Sequence, residues 1–400
     1  MRDYHVAGTA RNRTSIQFDP IELKRQAALE LGLEEFGEDP FGEFFARFID
    51  ALNDDGVMTA KGVAITETEI LSVLRNRLEL RDWLAREPSI GMEPIDRPIL
   101  LMGLPRSGTT FMHHLFDHDP KLRLLRMWET LRPCPPPAVD PDSVVARLEV
   151  ARRNKEDWQS DVENFDATHL LDPDGPDECT HLISQVFAMV GFLNVMKVSS
   201  FFRWLSESAD FFKVYRHHKS VLQLLQWKAP HRRWVLKYPN YVLSMKELSD
   251  TYPDALFVVS HRDPVRTLAS LCDLTHQFRA PRYADNDRVK IGQEMWYFVQ
   301  KHVDHLLAFR RSDTKTRIHD VDYNGLVSDP VATVESVYAA MDLELPKPVR
   351  EKLADWTQRN PKGKRGTHTY RLEEYGLDRD RVEAGFAEYR RAFDIPSEES

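Results

Sequence analysis

Short apolar runs alternate with amphipathic helical segments over most of the chain. The runs that we predict as buried strands occupy residues 99–102, 234–236, 256–260 and 316–321. Each is followed, directly or after a short turn, by a segment whose apolar residues recur with helical spacing. Strands that alternate with helices are typical of an α/β fold in which a parallel sheet is covered on both faces. Ligands of such a fold are expected at the carboxyl ends of its strands.

Helical spacing also dominates the region before the first predicted strand. Apolar positions such as Ile70, Leu74 and Leu78 predict several helices between residues 20 and 90. We therefore predict that residues 1–95 form a helical cap and residues 96–400 the main domain, with a helical insertion at about 140–230. Further helices are predicted at residues 109–118, 142–158, 244–251, 265–274 and 331–341.

Composition and charge restrict the classes of function. The chain has 400 residues, of which 42% are hydrophobic and 29% charged, as is usual for a globular protein. Its 54 Lys and Arg residues against 63 Asp and Glu residues give a formal net charge of −9. A negative balance argues against a general nucleic-acid binder, because affinity for a duplex depends on many cationic contacts to phosphate.

The apolar segments are too short for a membrane span. The longest, residues 186–196, is interrupted by Gly191 and Asn194 and falls short of the ~18 residues that a spanning helix needs. The aromatic residues at 201–212 are expected in the core, with peripheral membrane contact as the alternative. Residues 1–5 lack the apolar centre of a secretory signal, and the three scattered cysteines suggest a reducing compartment. We expect a cytoplasmic protein and leave its oligomeric state open.

The clearest motif follows the first predicted strand. Residues 103–110 read Gly-Leu-Pro-Arg-Ser-Gly-Thr-Thr and lead into a predicted helix. The two glycines have the GxxxxG spacing of a loop whose backbone N–H groups cradle a phosphate. Thr109 replaces the Lys that a nucleoside triphosphatase needs after the second glycine, and Arg106 lies within the loop. The loop therefore favours a phosphate that carries a small anionic group over a triphosphate.

Two further cations follow later strands. Arg262 lies just before Pro264, which begins a predicted helix, and Ser270 follows eight residues after the arginine. Both side chains could reach one phosphate beside the helix start, although Arg262 could instead pair with Asp263. Lys237 ends the strand at 234–236 and could neutralise charge on a leaving oxygen, or it could be an ordinary strand-end lysine.

Together the three segments resemble the sulfotransferases that use 3′-phosphoadenosine 5′-phosphosulfate (PAPS), particularly the bacterial branch related to tyrosylprotein and carbohydrate sulfotransferases. The resemblance covers about residues 97–390 and implies a P-loop-like three-layer α/β fold with a central parallel sheet, a helical N-terminal cap and helical insertions. It implies sulfuryl transfer to a hydroxyl of a small-molecule, lipid or carbohydrate acceptor. The 3′-phosphate would be held by Arg262 and Ser270. The 5′-phosphosulfate would be held by Pro105, Arg106, Ser107, Gly108, Thr109 and Thr110.

The resemblance adds a third group of donor-binding residues and shows one departure. Lys364, Arg365 and Gly366 lie in a basic run that would close over the 3′-phosphate, whereas a solvated loop is the simpler reading. Many bacterial relatives have Lys-Ser-Pro followed two residues later by His, but residues 237–241 here read Lys-Tyr-Pro-Asn-Tyr. The two tyrosines could line the acceptor pocket. Adenine could stack on Trp227, Trp234 or Tyr238.

Transfer to a hydroxyl needs a base for the proton and cations for the leaving phosphate. Arg106 and Lys237 are the predicted cations, so no metal is required. Glu129 is the preferred base because it resembles the catalytic Glu of the tyrosylprotein branch, although it could instead pair with Arg126 or Arg132. The remaining candidates for the base are His113, His114 and Glu178.

Two other classes of function share parts of this sequence pattern. A P-loop kinase-like enzyme using ATP is disfavoured by the missing loop lysine and by the pair Arg262 and Ser270. A non-catalytic nucleotide-binding module is disfavoured because candidates for the base and both phosphate sites are present. The aromatic helical regions suggest an apolar or ring-containing acceptor, without identifying it.

Overall fold

A computed structural model gives the fold of the chain. It describes residues 17–37, 40–163, 165, 171–312, 315–359 and 371–398. Five parallel strands form one sheet in the order β2-β3-β1-β4-β5, so that β1 lies at its centre. The strands are β1 (Ile99–Gly103), β2 (Leu122–Leu124), β3 (Arg233–Lys237), β4 (Leu256–His261) and β5 (Arg317–Asp322).

Alternate residues of the central strand pack on opposite faces of the sheet. Leu100 and Met102 belong to a large core beneath the helical regions, whereas Ile99 and Leu101 belong to a second core on the other face. None of these side chains is exposed. The sheet is therefore the middle layer of three, and the predicted α/β fold with a central parallel sheet is confirmed.

The helices that surround the sheet account for most of the described chain. The helices that precede β3 in the chain are α1 (Pro20–Leu31), α2 (Phe41–Asp54), α3 (Ala60–Arg86), α4 (Thr109–Phe116), α5 (Met127–Leu131), α6 (Ser143–Asp161), α7 (Thr180–Ser184), α8 (Phe192–Val195), α9 (Ser199–Glu207) and α10 (Phe211–Gln226). Those after β3 are α11 (Met245–Thr251), α12 (Pro264–Arg279), α13 (Arg288–Ser312), α14 (Tyr323–Ser328), α15 (Pro330–Ala340), α16 (Lys347–Arg359), α17 (Arg379–Gly385) and α18 (Ala387–Phe393). Short 3-10 helices occupy Pro88–Met92, Pro239–Ser244 and Leu372–Tyr375.

The N-terminal helices pack on the region between β2 and β3. The rings of Phe45 and Phe48 in α2 lie 4.7 and 5.3 Å from the ring of Phe187, which follows α7. Burying a phenylalanine side chain of this kind stabilises the fold by about 2 kcal/mol. The cap is thus joined to the rest of the molecule through a shared aromatic core, while the predicted domain boundary at residue 95 stays a prediction.

The structure departs from the predicted elements in several places, including the 25-residue helix α13, which was not predicted. The short strand β2 was not predicted, because only three residues form it and Arg123 interrupts the apolar pattern. The helical insertion expected at about 140–230 is divided into α6, α7, α8, α9 and α10. The non-helical residues between these helices allow the chain to turn near the carboxyl ends of β2 and β3.

Candidate active site

The loop after β1 is held tightly against the end of β4. A Cβ atom added to Gly103 would lie 2.2 Å from the carbonyl oxygen of Ser260, so only glycine allows this approach. The Ser260 hydroxyl in turn donates to the carbonyl oxygen of Ser107 over 2.5 Å. These contacts fix the loop between two adjacent strand ends.

Two residues of the loop and its flank adopt left-handed backbone angles. Arg106 has φ +70°, and Gly108, which precedes α4, has φ +88°. A Cβ atom on Gly108 would approach the ring of Tyr323 to 3.0 Å. The chain thus turns sharply into the start of α4, where unpaired N–H groups and the helix dipole favour an anion.

Ser107 supplies an unused polar atom at this place. Its side chain is fully buried, and its Oγ has no hydrogen-bond partner among the described residues. A buried hydroxyl without a partner costs about 1–3 kcal/mol unless something else satisfies it. An anion bound in the loop would provide the missing acceptor, so the residues fit a phosphate-like group.

Arg106 links the loop to the residues predicted to hold a second phosphate. Its Nε donates to the Ser270 hydroxyl over 3.2 Å, and its carbonyl oxygen accepts from Nη1 of Arg262 over 2.9 Å. The guanidinium of Arg262 also lies 4.0 Å from the centre of the Tyr323 ring. Arg106, Arg262 and Ser270 therefore form one contiguous cationic cluster.

The edge of Arg262 opposite the loop is occupied by a carboxylate from far along the chain. Nε and Nη2 each donate to Glu398 over 3.0 Å. Burial opposes the charge of Arg262, but the hydrogen bonds with Glu398 raise its pKa above the ordinary value. Sequence reasoning missed this contact, because 136 residues separate the two side chains and no motif marks Glu398.

On the other side of the loop, Lys237 connects β3 with the start of α4. Its side chain is 6% exposed, and Nζ donates to Thr110 Oγ1 over 3.2 Å and to Glu178 Oε2 over 2.6 Å. Glu178 is 23% exposed. The pair places a carboxylate and an ammonium together at the edge of the sheet.

Backbone hydrogen bonds hold Glu178 in this position. The amide of Asp177 donates to the carbonyl oxygen of Leu125 just after β2, and the amide of Cys179 donates to that of Lys237, both over 2.9 Å. The segment thus continues the pairing of the sheet beyond the ends of β2 and β3. Glu178 therefore lies between two residues whose backbone amides are hydrogen-bonded, and this fixes its position next to Lys237.

Glu129, the base preferred from the sequence, has different contacts from Glu178. It is 2% exposed; one carboxylate oxygen pairs with Arg123, and the other accepts from the backbone N–H of Arg126 over 2.9 Å. Arg123 itself lies over the Trp234 ring of β3. Glu129 is therefore a buried, paired capping residue in the first turn of α5, and its partner is Arg123 rather than the expected Arg126 or Arg132 side chain.

The two predicted histidines point to different surroundings. His113 is buried, and its Nε2 lies 3.3 Å from the carbonyl oxygen of Val235 in β3. Burial, with the nearby Lys237 charge, lowers the pKa of His113 well below its ordinary value, so it is a weak base. His114 is half-buried on the same helix.

The residues that depart from the bacterial pattern after Lys237 lie inside the protein. The Tyr238 hydroxyl accepts from the backbone N–H of Val190 over 3.0 Å. Tyr241 hydrogen-bonds with Nε2 of His218 at 3.1 Å. Because both rings are under 3% exposed, they support the end of β3 instead of lining an open acceptor pocket. Trp227 and Trp234, the other candidates for adenine stacking, are also buried.

Several predicted features fall outside these contacts. Lys364, Arg365 and Gly366 lie outside the described residues. In the described part of the chain, no group of three or more His, Cys, Asp or Glu side chains is arranged to hold a metal ion. None of the helices described combines the length and apolar character needed to cross a membrane.

A loop suited to an anion at the central strand, with cations at the ends of both neighbouring strands, is typical of the nucleotide-binding class of α/β proteins. Comparison with known proteins then specifies the family. The family model described as "Sulfotransferase family" matches residues 98–347, more than half of the chain. The protein belongs to the sulfotransferase family.

Solved structures agree over nearly the whole chain. The sulfotransferase STF9 from Mycobacterium avium is similar with a TM-score of 0.86 and 26% identity, over 98% of this chain and 100% of that one. The sulfotransferase STF1 from Mycobacterium tuberculosis gives a TM-score of 0.81 and 26% identity, over 93% and 99% of the two chains. A search of curated proteins returned no match.

Proposed function

We propose that this sulfotransferase transfers the sulfuryl group of PAPS to a hydroxyl of a small-molecule, lipid or carbohydrate acceptor. One observation carries the choice of donor: Arg106 contacts both Ser270 and Arg262, so that the phosphate loop and a second cationic site are contiguous. A donor with phosphate groups at both its 5′ and 3′ positions suits two linked anion sites. ATP lacks the 3′-phosphate, and the loop lacks the lysine that a triphosphate needs.

The residues around the loop divide the donor contacts. Arg106, Ser107 and the amides that lead into Thr109 and Thr110 hold the 5′-phosphosulfate, with Pro105 and Gly108 shaping the turn. Arg262 and Ser270 hold the 3′-phosphate. Lys364, Arg365 and Gly366 stay predicted contacts, and substituting the two cations with Ala should raise the donor KM. When bound, the donor supplies an electrophilic sulfur whose leaving group is a phosphate.

Positioning and electrostatics provide most of the rate in this type of transfer. Lys237 hydrogen-bonds with Thr110 at the start of α4, so its ammonium lies close to the loop that holds the leaving phosphate. Lys237 and Arg106 neutralise the charge that develops there. No step in this proposal uses a metal ion.

The geometry favours Glu178 as the base. Its carboxylate is partly exposed and contacts Lys237 directly, and both features support this role. Glu178 takes the proton of the acceptor hydroxyl as oxygen attacks sulfur. Glu129, the first choice from the sequence, and His114 stay alternatives; Glu129 already has both oxygens engaged.

The proposal extends to the acceptor and the compartment. The aromatic helices α9 and α10 and their neighbours favour an apolar or ring-containing alcohol over a highly charged one. The cysteines, Cys134, Cys179 and Cys272, are free and buried, which is consistent with the proposed cytoplasmic location. Peripheral membrane contact would follow if the acceptor is a lipid.

Calorimetry with nucleotides tests the donor. The product 3′-phosphoadenosine 5′-phosphate (PAP) should bind, whereas ADP and ATP should bind at least about tenfold more weakly, because they lack the 3′-phosphate and its charge-assisted hydrogen bonds. Transfer of labelled sulfate to a panel of phenols, hydroxylated lipids and sugars should then identify the acceptor. Equal or tighter binding of ATP, with ATP-dependent labelling, would instead support the kinase-like alternative. Binding of PAP with no turnover on any acceptor would favour a non-catalytic module.

A further inference from the structure

The carboxylate of Glu398 lies where an anionic ligand of Arg262 would lie. It accepts hydrogen bonds from Nε and Nη2 of Arg262, each over 3.0 Å. The two partners are only 17% and 18% exposed. A guanidinium binds phosphate through the same two-pronged edge that it uses for a carboxylate. Glu398 therefore uses the donor groups that the 3′-phosphate would need.

The rest of Arg262 cannot simply turn to offer another edge. Its Nη1 donates to the carbonyl oxygen of Arg106 over 2.9 Å, and its guanidinium lies over the ring of Tyr323. These contacts fix the plane and direction of the side chain. An anion that binds this edge of Arg262 must compete with Glu398.

The segment that carries Glu398 is anchored separately from its side chain. Arg390 pairs with Asp263 over 2.7 Å, and the backbone N–H of Glu398 donates to the same carboxylate over 2.9 Å. The amide of Ile395 donates to the carbonyl oxygen of Arg390, and the Ile395 side chain is buried. These anchors do not use Arg262, so the Glu398 side chain can leave the arginine while its backbone stays docked.

We propose that Glu398 is an internal competitor of the donor, occupying the 3′-phosphate site until PAPS displaces it. The inference rests on the proposed function, because it requires Arg262 to bind the 3′-phosphate. The contact lowers the affinity for every ligand that carries this phosphate, including the product, and leaves ligands without it unaffected. It thereby reduces product retention and raises the donor concentration at which the enzyme becomes saturated.

Substitution of Glu398 tests this competition. Glu398→Gln keeps the size of the side chain but removes its charge, and we expect it to lower the Kd for PAP about tenfold, as expected when a self-occupied state of about 90% is relieved. The Kd for adenosine 5′-phosphate, which lacks the 3′-phosphate, should not change. Glu388→Gln is the matched control, because it removes one charge from the neighbouring helix α18, where Glu388 pairs with Arg311. Its PAP affinity should equal that of the wild type.

A double-mutant cycle locates the effect at the arginine. In an Arg262→Gln background, which should bind PAP weakly, adding Glu398→Gln should give no further gain. If Glu398→Gln binds PAP like the wild type while Arg262→Gln weakens binding, the competition is wrong and the proposed donor site stands. A gain that persists in the Arg262→Gln background also overturns the inference, since it reflects general charge alone. If PAP binds to none of these proteins, the proposed function fails and the inference fails with it.

Discussion

Glu129 and Glu178 are neighbouring carboxylates with opposite surroundings. They are linked through the residues beside them, because the Thr130 hydroxyl hydrogen-bonds with the carboxylate of Asp177. Glu129 is 2% exposed and fully engaged by Arg123 and a helix N–H, whereas Glu178 is 23% exposed and contacts Lys237. The first carboxylate is enclosed by its partners, while the second is partly exposed beside Lys237, which is why we propose it as the base. An acidic residue at the right distance from a phosphate loop is thus insufficient to identify a base; its existing partners must be known.

The largest effect is expected from Glu178→Gln. The amide cannot accept the acceptor proton, so kcat should fall about a thousandfold, within the range that general-base catalysis contributes. The Kd for PAP should change far less than kcat, whereas the thermal midpoint should fall, because Glu178 is the carboxylate partner of the buried Lys237 ammonium. Steady-state kinetics with labelled donor provide the measurement, and His114→Ala, a substitution on α4, is measured for comparison. A near-wild-type kcat for Glu178→Gln, together with a large loss for His114→Ala, would assign the base to the histidine.

Glu129→Gln should contrast with Glu178→Gln, with a large loss of stability and little loss of activity. It leaves the guanidinium of Arg123 without its buried partner, which we expect to lower the free energy of unfolding by about 3 kcal/mol. Chemical denaturation measures this loss. Where the variant is folded, its kcat should stay within a few fold of the wild type. A stable Glu129→Gln protein with a thousandfold lower kcat would return Glu129 to the role of base.

Buried histidines extend the contrast to the dependence of stability on pH. Burial lowers the pKa of His218 to about 3 and that of His302 to about 3, whereas an unfolded histidine titrates near 6.5. The unfolded chain therefore binds more protons below about pH 6.5, and stability is lost as the pH falls from there towards 3. Each histidine should contribute about 1.4 kcal/mol per pH unit to this loss.

Denaturation at a series of pH values checks this slope, and His302→Gln should reduce it. The imidazole of His302 hydrogen-bonds with Asn240 at 2.8 Å, and glutamine can keep a polar contact there without titrating. An unchanged slope in the variant would show that carboxylates, not buried histidines, dominate acid unfolding. The dependence of activity on pH, used to examine Glu178, would then have to be measured at pH values well above those at which the protein unfolds.

The strand, loop and helix around the proposed donor site could be predicted because local residue patterns determine them. Gly103 and Gly108 both have positive φ angles, which favour glycine. The cations at the ends of β3 and β4 could be placed at one edge because parallel strands share that edge. The carboxylates that pair with these cations could not be predicted. Lys237 and Glu178 are 59 positions apart in the sequence, and Arg262 and Glu398 are 136 positions apart.

The role of Glu129 illustrates the same limit. Its sequence context after the loop helix is equally compatible with a catalytic base and with a buried cap. The partner that distinguishes them, Arg123, lies on β2, a strand too short to be recognised from the apolar pattern. Only the pairing of β2 with β3 brings that arginine onto Trp234 and against the carboxylate.

The central position of β1 has a consequence for how such proteins diversify. Because β1 lies between β3 and β4, the residues proposed for the acceptor proton lie on one side of the phosphate loop and those proposed for the 3′-phosphate on the other. Under the proposed roles, substitutions around α7 and the segment before it should alter the choice of acceptor without altering recognition of the nucleotide. We expect relatives with different acceptors to differ mainly on the β3 side, while inheriting the β4 side nearly intact.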